Sequence, residues 1–307
     1  MGKKDIVDFN KLNSITSKSN VILNIILGVY SFLCMVPLVL MISASLTDEK
    51  LLAIQGYKFI PSAVTGYAYK YIITNTPQVI TAYGITILVT LVGTILGVII
   101  MSLYAFPISR QDFKYKGFFT FILVFTMLFN GGLVSTYLIG VNVLHFKDNL
   151  WGLIFPYLMN AFWVIILRTF YKTNIPDSLI ESAKIDGASE FTTFFKIVFP
   201  LALPGIATIA LFAMVQYWND WFQASLYINN PNLAPLQYLL YQLQSSMQYL
   251  LQNSSSMGGR AADVLAKMPS ESARMAMVVI GVGPIILTFP FFQKYFVKGL
   301  TVGAIKG

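Results

Sequence analysis

The sequence predicts an all-α integral membrane protein with six transmembrane helices, and three observations predict it. Charged residues are only 11% of the 307, against 56% hydrophobic, whereas a soluble globular chain carries roughly 25% charged residues. The mean hydropathy is +0.67. Long intervals also run free of Asp, Glu, Lys and Arg, and about 20 largely apolar residues suffice to cross a hydrocarbon core. Such a composition excludes a disordered chain and an ordinary water-soluble enzyme. The single cysteine, Cys34, excludes a disulfide scaffold and a cysteine-cluster metal site, and suits a small apolar packing position.

The expected spans follow in order. Residues 1–20 are polar and lack the apolar core of a cleavable signal. The first span is 21–45, and Gly56 and Pro61 then mark a folded loop before the second at 80–105. The third, fourth and fifth are 117–140, 150–169 and 197–218, and the sixth is 275–293. The interval 221–259 is charge-free but rich in Asn and Gln, amides that are costly in lipid. Within it Leu236, Leu239, Leu240 and Leu243 begin a helical repeat that runs to Leu251, so 236–252 reads as an amphipathic, surface-lying external helix rather than a seventh crossing. Residues 1–307 read as one transmembrane domain.

Basic residues choose the orientation. With both termini in the cytoplasm, the inner segments hold 14 Lys and Arg and the outer segments 7, and the loop Arg110–Lys116 alone holds three. This is the positive-inside bias. It accounts for the net charge of +8 without any nucleic-acid partner.

The spans lack Asp, Glu, Lys and Arg near their centres, which argues against an ion-coupled carrier. His145, the sole histidine, falls in an external loop, leaving no proton relay, no metal site and no His or carboxylate pair for a membrane-embedded enzyme. No G-x-x-x-x-G-K-[ST] phosphate loop occurs. Uphill transport by this chain therefore needs an energy source in another chain. The interior polar groups are amides and aromatics. Asn130-Gly131-Gly132 interrupts the third span ahead of Tyr137, and Asn160 lies in the fourth. Gln216, Tyr217, Trp218, Asn219 and Asp220 close the fifth, with Gln216, Asn219 and Gln223 sharing one face by their i, i+3, i+7 spacing. Amides and a carboxylate beside aromatic rings suit a sugar, whose hydroxyls need partners and whose C–H faces stack on rings. The same residues also suit an interfacial aromatic belt with interhelical amide contacts.

Between spans four and five, residues 174–189 read as a short cytoplasmic helix: Asn174 as its cap, Pro176 in its first turn, Asp177 at its positive end and Gly187 as its left-handed stop. Ser189 then caps the next element. The run Glu181-Ser182-Ala183-x-x-Asp186-Gly187-Ala188, followed by Phe194, Ile197, Pro200 and Pro204, resembles the EAA motif of ABC-importer permeases, with Ser182 and Phe199 as departures. The ending, with Gly299, Gly303 and Lys306, resembles the MalG-like branch of carbohydrate permeases, and over 20–307 the chain looks most like its LplC/YtcP-type members.

That resemblance implies a type I ABC importer permease fold in a bacterial cytoplasmic membrane. It implies a MalF-like second permease, two cytoplasmic ATPase subunits carrying ATP and Mg, an extracellular solute-binding lipoprotein and an oligosaccharide substrate. The chain itself would be non-catalytic and cofactor-free. Carried over, Glu181, Ala183, Asp186, Gly187 and Ala188 form the ATPase-coupling helix, and Gly299, Gly303 and Lys306 a tail at the ATPase interface. The alternatives are an ABC importer for another solute class, or an enzyme that modifies glycan or lipid within the membrane.

Overall fold

The computed structural model describes residues 17–253 and 270–304. Among these, every regular element is helical, with one isolated antiparallel bridge between Thr47 and Val64. Where the sequence predicts a single domain, contacts sort the chain into two units, 1–72 with 268–279 and 73–267 with 280–307.

The first unit contains α1 (Ser17–Ser45), α2 (Glu49–Gln55) and the start of α14 (Ser270–Ala304). From Lys18 to Met35 every α1 residue is exposed, Cys34 included, so Cys34 is not a packing residue here, and α1 is buried only at its end, at Ser43, Ala44 and Ser45. The unit's ordered end is polar. Glu49 accepts from the backbone N–H of Glu271 and Ser272 and from Ser272 Oγ, at 3.0, 2.9 and 2.7 Å. A carboxylate at a helix N-terminus satisfies orphan donors and complements the dipole.

The second unit is built on α4 (Gln78–Ser109), preceded by α3 (Tyr67–Asn75), which begins in the first unit. At 1.5 Å per residue the 32 residues of α4 extend about 48 Å. Its inward face supplies Val98, Met101, Ala105, Phe106 and Ile108 to a core shared with Val164, Leu167, Ile180, Phe194 and Ile209. Small residues let neighbours close on it. A Cβ on Gly93 would meet the Tyr217 ring at 2.4–2.7 Å, so this contact exists only because residue 93 has no side chain.

Among the described residues three helices are long and apolar enough to cross a membrane: Lys18–Ser45, Gln78–Ser109 and Glu271–Gln293. The third, fourth and fifth expected spans are not straight. In place of 117–140, α5 (Lys116–Leu128) and α6 (Leu133–Asn142) meet at 111°, because Gly132 sits at φ +84° and its N–H donates to Asn130 Oδ1 at 2.8 Å. In place of 150–169, α7 (Trp151–Tyr157) and α8 (Ala161–Asn174) meet at 49°, with Asn160 capping α8 by accepting from Phe162 and Trp163 N–H. In place of 197–218, α10 (Glu190–Leu201) and α11 (Leu203–Trp218) meet at 81°. A π-helical stretch, Phe194–Val198, precedes that bend. Pro200 and Pro204 flank it, and each withholds a helical N–H.

Between α8 and α10 lies α9 (Asp177–Ile185). After α11 come α12 (Phe222–Tyr227) and α13 (Leu236–Gln252). Leu236, Leu239 and Leu240 are buried on one face of α13, with Gln242, Gln244 and Gln248 exposed opposite. The last helix, α14, contains Pro284 and Pro290. Pro284 has no N–H for the carbonyl four residues earlier, Ile280. Tyr83 Oη donates to that carbonyl at 2.6 Å, and Trp218 Nε1 donates to the next one, Gly281, at 2.8 Å.

Candidate functional site

The segment 174–189 is a helix with a well-satisfied end. The first helical residue of α9 is Asp177, and the capping position belongs to Pro176 (φ −63°, ψ 135°). Asn174, expected as the cap, is the last residue of α8, and its Nδ2 donates to the Phe170 carbonyl at 3.0 Å. At the other end Gly187 takes φ +77°. Its N–H donates to Lys184 O at 3.0 Å while Ala188 N–H donates to Ala183 O at 2.9 Å. This is the paired closure that a left-handed glycine makes possible. Ser189 then opens α10, its Oγ accepting from Thr192 N–H at 3.2 Å.

The two faces of α9 differ. Ile180 and Ala183 are buried, so Ala183 points into the bundle. Glu181, Asp186 and Gly187 are exposed, Ala188 is half-buried, and Ile185 is 86% exposed.

A charge cluster beneath α9 holds residues that sequence reasoning did not single out. Arg110, one residue past α4, is buried, donates to Asp112 through Nε at 2.8 Å and pairs through Nη1 with Glu190 at the start of α10. Lys184 on α9 donates to Asp112 Oδ2 at 2.6 Å. The Arg110 guanidinium, then Lys184, hold the Asp112 carboxyl well below the usual carboxylate range. Lys184, Asp112 and Glu190 are each around half exposed, so their bonds are screened and worth about 0.2–1 kcal/mol apiece. Arg110 is different: its own side chain is buried while it holds two carboxylates at once. The only sequence signal was Arg110 itself, which counts toward the inward charge bias without revealing a partner. Beside the cluster opens a cleft of about 550 Å3 lined by Phe106, Phe113, Phe191 and Phe194.

Of the expected tail, Gly299 and Gly303 fall within α14, and Lys306 lies outside the described residues.

The expected pathway residues are dispersed. Asn130 is exposed and forms the turn between α5 and α6, and Tyr137 stacks on Tyr227 with centroids 5.9 Å apart. Asn160 lines a groove of about 600 Å3 with Tyr104, Thr126, Met127 and Met159. The face shared by Gln216, Asn219 and Gln223 does not form, because α11 stops at Trp218. Gln216 is half-buried; Asn219 turns back to donate to Val215 O at 2.9 Å. Tyr217 and Trp218 are buried, with their polar atoms committed to the carbonyls of Ile154 and Gly281 at 2.8 Å each. They brace helices. Asp220 accepts from Tyr157 Oη at 3.0 Å and from Gln223 N–H at 3.2 Å, and burial pushes its carboxyl up against the opposing pull of these bonds. Sequence reading missed Tyr157 as the partner in this cluster. Trp221 and Tyr241 stack at 4.4 Å with both rings partly exposed. Among the described residues no group of His, Cys, Asp and Glu could hold a metal ion.

Comparison with known proteins places these features in a family setting. Residues 113–302 match the family described as binding-protein-dependent transport system inner membrane component. The chain is 38% identical over 278 residues to the polygalacturonan/rhamnogalacturonan transport system permease protein YtcP of Bacillus subtilis (strain 168), covering 91% of this chain and 94% of that one. It is 36% identical over 281 residues to protein LplC of the same organism, covering 92% of each. Among solved structures, a bacterial ABC transporter involved in the import of the acidic polysaccharide alginate superposes with a TM-score of 0.73 at 27% identity, covering 92% of this chain and all of that one.

Proposed function

From the premise that the chain belongs to the family of binding-protein-dependent transport system inner membrane components, we propose that it forms half of the translocation pathway of an ATP-driven oligosaccharide importer. It is a permease, a non-catalytic membrane subunit of an ABC transporter. The observation that carries the mechanism is α9: a helix closed by Gly187, anchored inward by Ile180 and Ala183, and presenting Glu181, Ile185 and Asp186 outward. In this reading a cytoplasmic ATPase, which holds ATP and Mg, grips that face. Closure of two such ATPases draws the gripped helices together and reorients the spans. The motor must then bind the two orientations with different affinity, since a ligand with no preference shifts nothing. The tail with Gly299, Gly303 and Lys306 lies at the same interface.

In this reading the chain crosses a bacterial cell membrane six times, each bent pair counted as one span, with both termini on the cytoplasmic side as the bias of Lys and Arg supports. A second, MalF-like permease completes the pathway. An extracellular solute-binding lipoprotein delivers the sugar. The oligosaccharide class is supported by the names of the relatives, and Asn130 and Asn160 both lie at helix breaks. Affinity purification of the tagged chain from its native membrane tests the assembly. A second permease and a nucleotide-binding chain in stoichiometric yield are expected. A homogeneous single-chain preparation that transports sugar would overturn the reading.

A further inference from the structure

We propose that Arg110 is a positioning residue that locks α9, the cytoplasmic end of α4 and the start of α10 into one rigid body, so that force applied to α9 reaches α4. The inference rests on the coupling role given to α9 above and adds the path by which its displacement is transmitted.

The geometry has three parts. First, α9 is weakly anchored by packing, since among its nine residues only Ile180 and Ala183 are buried. A helix so short and thinly rooted slides unless something else fixes it. Second, that fixing comes from alternating charges on different elements. Lys184 reaches down from α9 to Asp112, Asp112 is held by Arg110, and Arg110 also holds Glu190 at the first turn of α10. The guanidinium suits this place because its rigid fork satisfies two carboxylates at once, which an ammonium does less well. Third, the end of α4 is itself tied in. Arg110 N–H donates to Pro107 O, and Arg168 Nε from α8 donates to Ile108 O at 3.0 Å. Of the C-terminal carbonyls of α4, Pro107 O thus has a backbone amide as donor and Ile108 O a cationic side chain. At the far end of the same helix, Tyr83 holds the Ile280 carbonyl of α14. A displacement entering at Lys184 therefore has a continuous route of polar contacts and rigid helix to the carbonyl that Pro284 leaves without a helical partner in the last helix.

The test uses the complete complex in proteoliposomes, reading sugar uptake per ATP hydrolysed, with assembly checked by subunit yield. Arg110→Gln is expected to leave ATP hydrolysis running and to lower uptake per ATP about tenfold, a usual size for a coupling between sites. In a Cys34→Ala background, the pair Asp112→Cys and Lys184→Cys is expected to show the same loss. A short bis-methanethiosulfonate cross-linker is then expected to restore uptake, and reduction to abolish it again. Restoration by a covalent tie would not follow from a general folding defect. Normal uptake per ATP in both variants, or a cross-link that fails to restore it, overturns the proposal. The Gly187→Val variant separates the two readings. If it transports normally while the clamp variants fail and recover as stated, ATPase docking at α9 falls and the clamp stands. If it uncouples while Arg110→Gln transports normally, the clamp falls and docking stands.

Discussion

The phenol of Tyr83 donates to the carbonyl oxygen of Ile280 at 2.6 Å, the carbonyl left without a helical partner by Pro284. A proline inside a membrane helix is tolerated when neighbours re-satisfy the freed backbone, and here the donor comes from α4. Tyr83→Phe should destabilise the purified complex by about 1–3 kcal/mol, the cost of a buried acceptor left unsatisfied. Pro284→Ala restores the missing N–H, so the Tyr83→Phe loss should shrink in that background. An equal loss in both backgrounds, measured by thermal denaturation in detergent, would contradict this account of the Ile280 carbonyl.

Trp218 performs the companion task at Gly281. Trp218→Phe keeps a ring and removes the N–H. The thermal midpoint should fall while the KM for uptake stays unchanged, because the indole nitrogen is committed to backbone. A raised KM with an unchanged midpoint would return Trp218 to the sugar pathway.

Gly93 tests the closeness of α4 and α11. In Gly93→Ala the new methyl would overlap the Tyr217 ring, which the hydrogen bond to Ile154 O holds in place. Overpacking of this kind costs about 1–3 kcal/mol. Combining it with Tyr217→Leu should recover part of the loss, whereas Tyr217→Phe, which keeps the ring, should not. Thermal midpoints of the purified variants decide the matter.

Asp220 gives a pH dependence with a defined sign. Its carboxyl is raised by burial, so the folded chain holds the proton more tightly than the unfolded one. The associated stability is fully present below the unfolded value, about 3.9, and is lost as pH rises through the folded value. Asp220→Asn keeps an acceptor for Tyr157 and Gln223 and carries no charge. It should raise the thermal midpoint near neutral pH, with the gain fading as pH is lowered toward about 4. A pH-independent difference would show that burial of this charge is not the cause.

Much of this fold was legible in the sequence because local chemistry wrote it. Gly187 was readable as a left-handed stop since few other residues tolerate that conformation, and the leucine repeat from Leu236 was readable from its period. The bends were legible only as weak points. Asn130-Gly131-Gly132 and the pair Pro200 and Pro204 are visible breakers, yet hydropathy records which residues are apolar and not the direction of the next helix. Site roles were hidden wherever a partner lies far along the chain. Trp218 beside Asn219 reads as a sugar platform until the Gly281 carbonyl is placed against it, 63 residues on. Arg110 and Glu190, 80 residues apart, give no local sign of pairing.

The most direct measurement is the number of sugar molecules taken up per ATP hydrolysed by the reconstituted importer carrying Gly187→Val. A β-branched residue at φ +77° disfavours the closure of α9 by at least the roughly 1–2 kcal/mol charged to an ordinary side chain in left-handed backbone. An added Cβ at residue 187 meets no atom within 4 Å, so the strain falls on the backbone rather than on a steric clash at Cβ. The account predicts normal insertion and subunit yield, with ATP hydrolysis uncoupled from uptake. Wild-type uptake per ATP in that variant would contradict it.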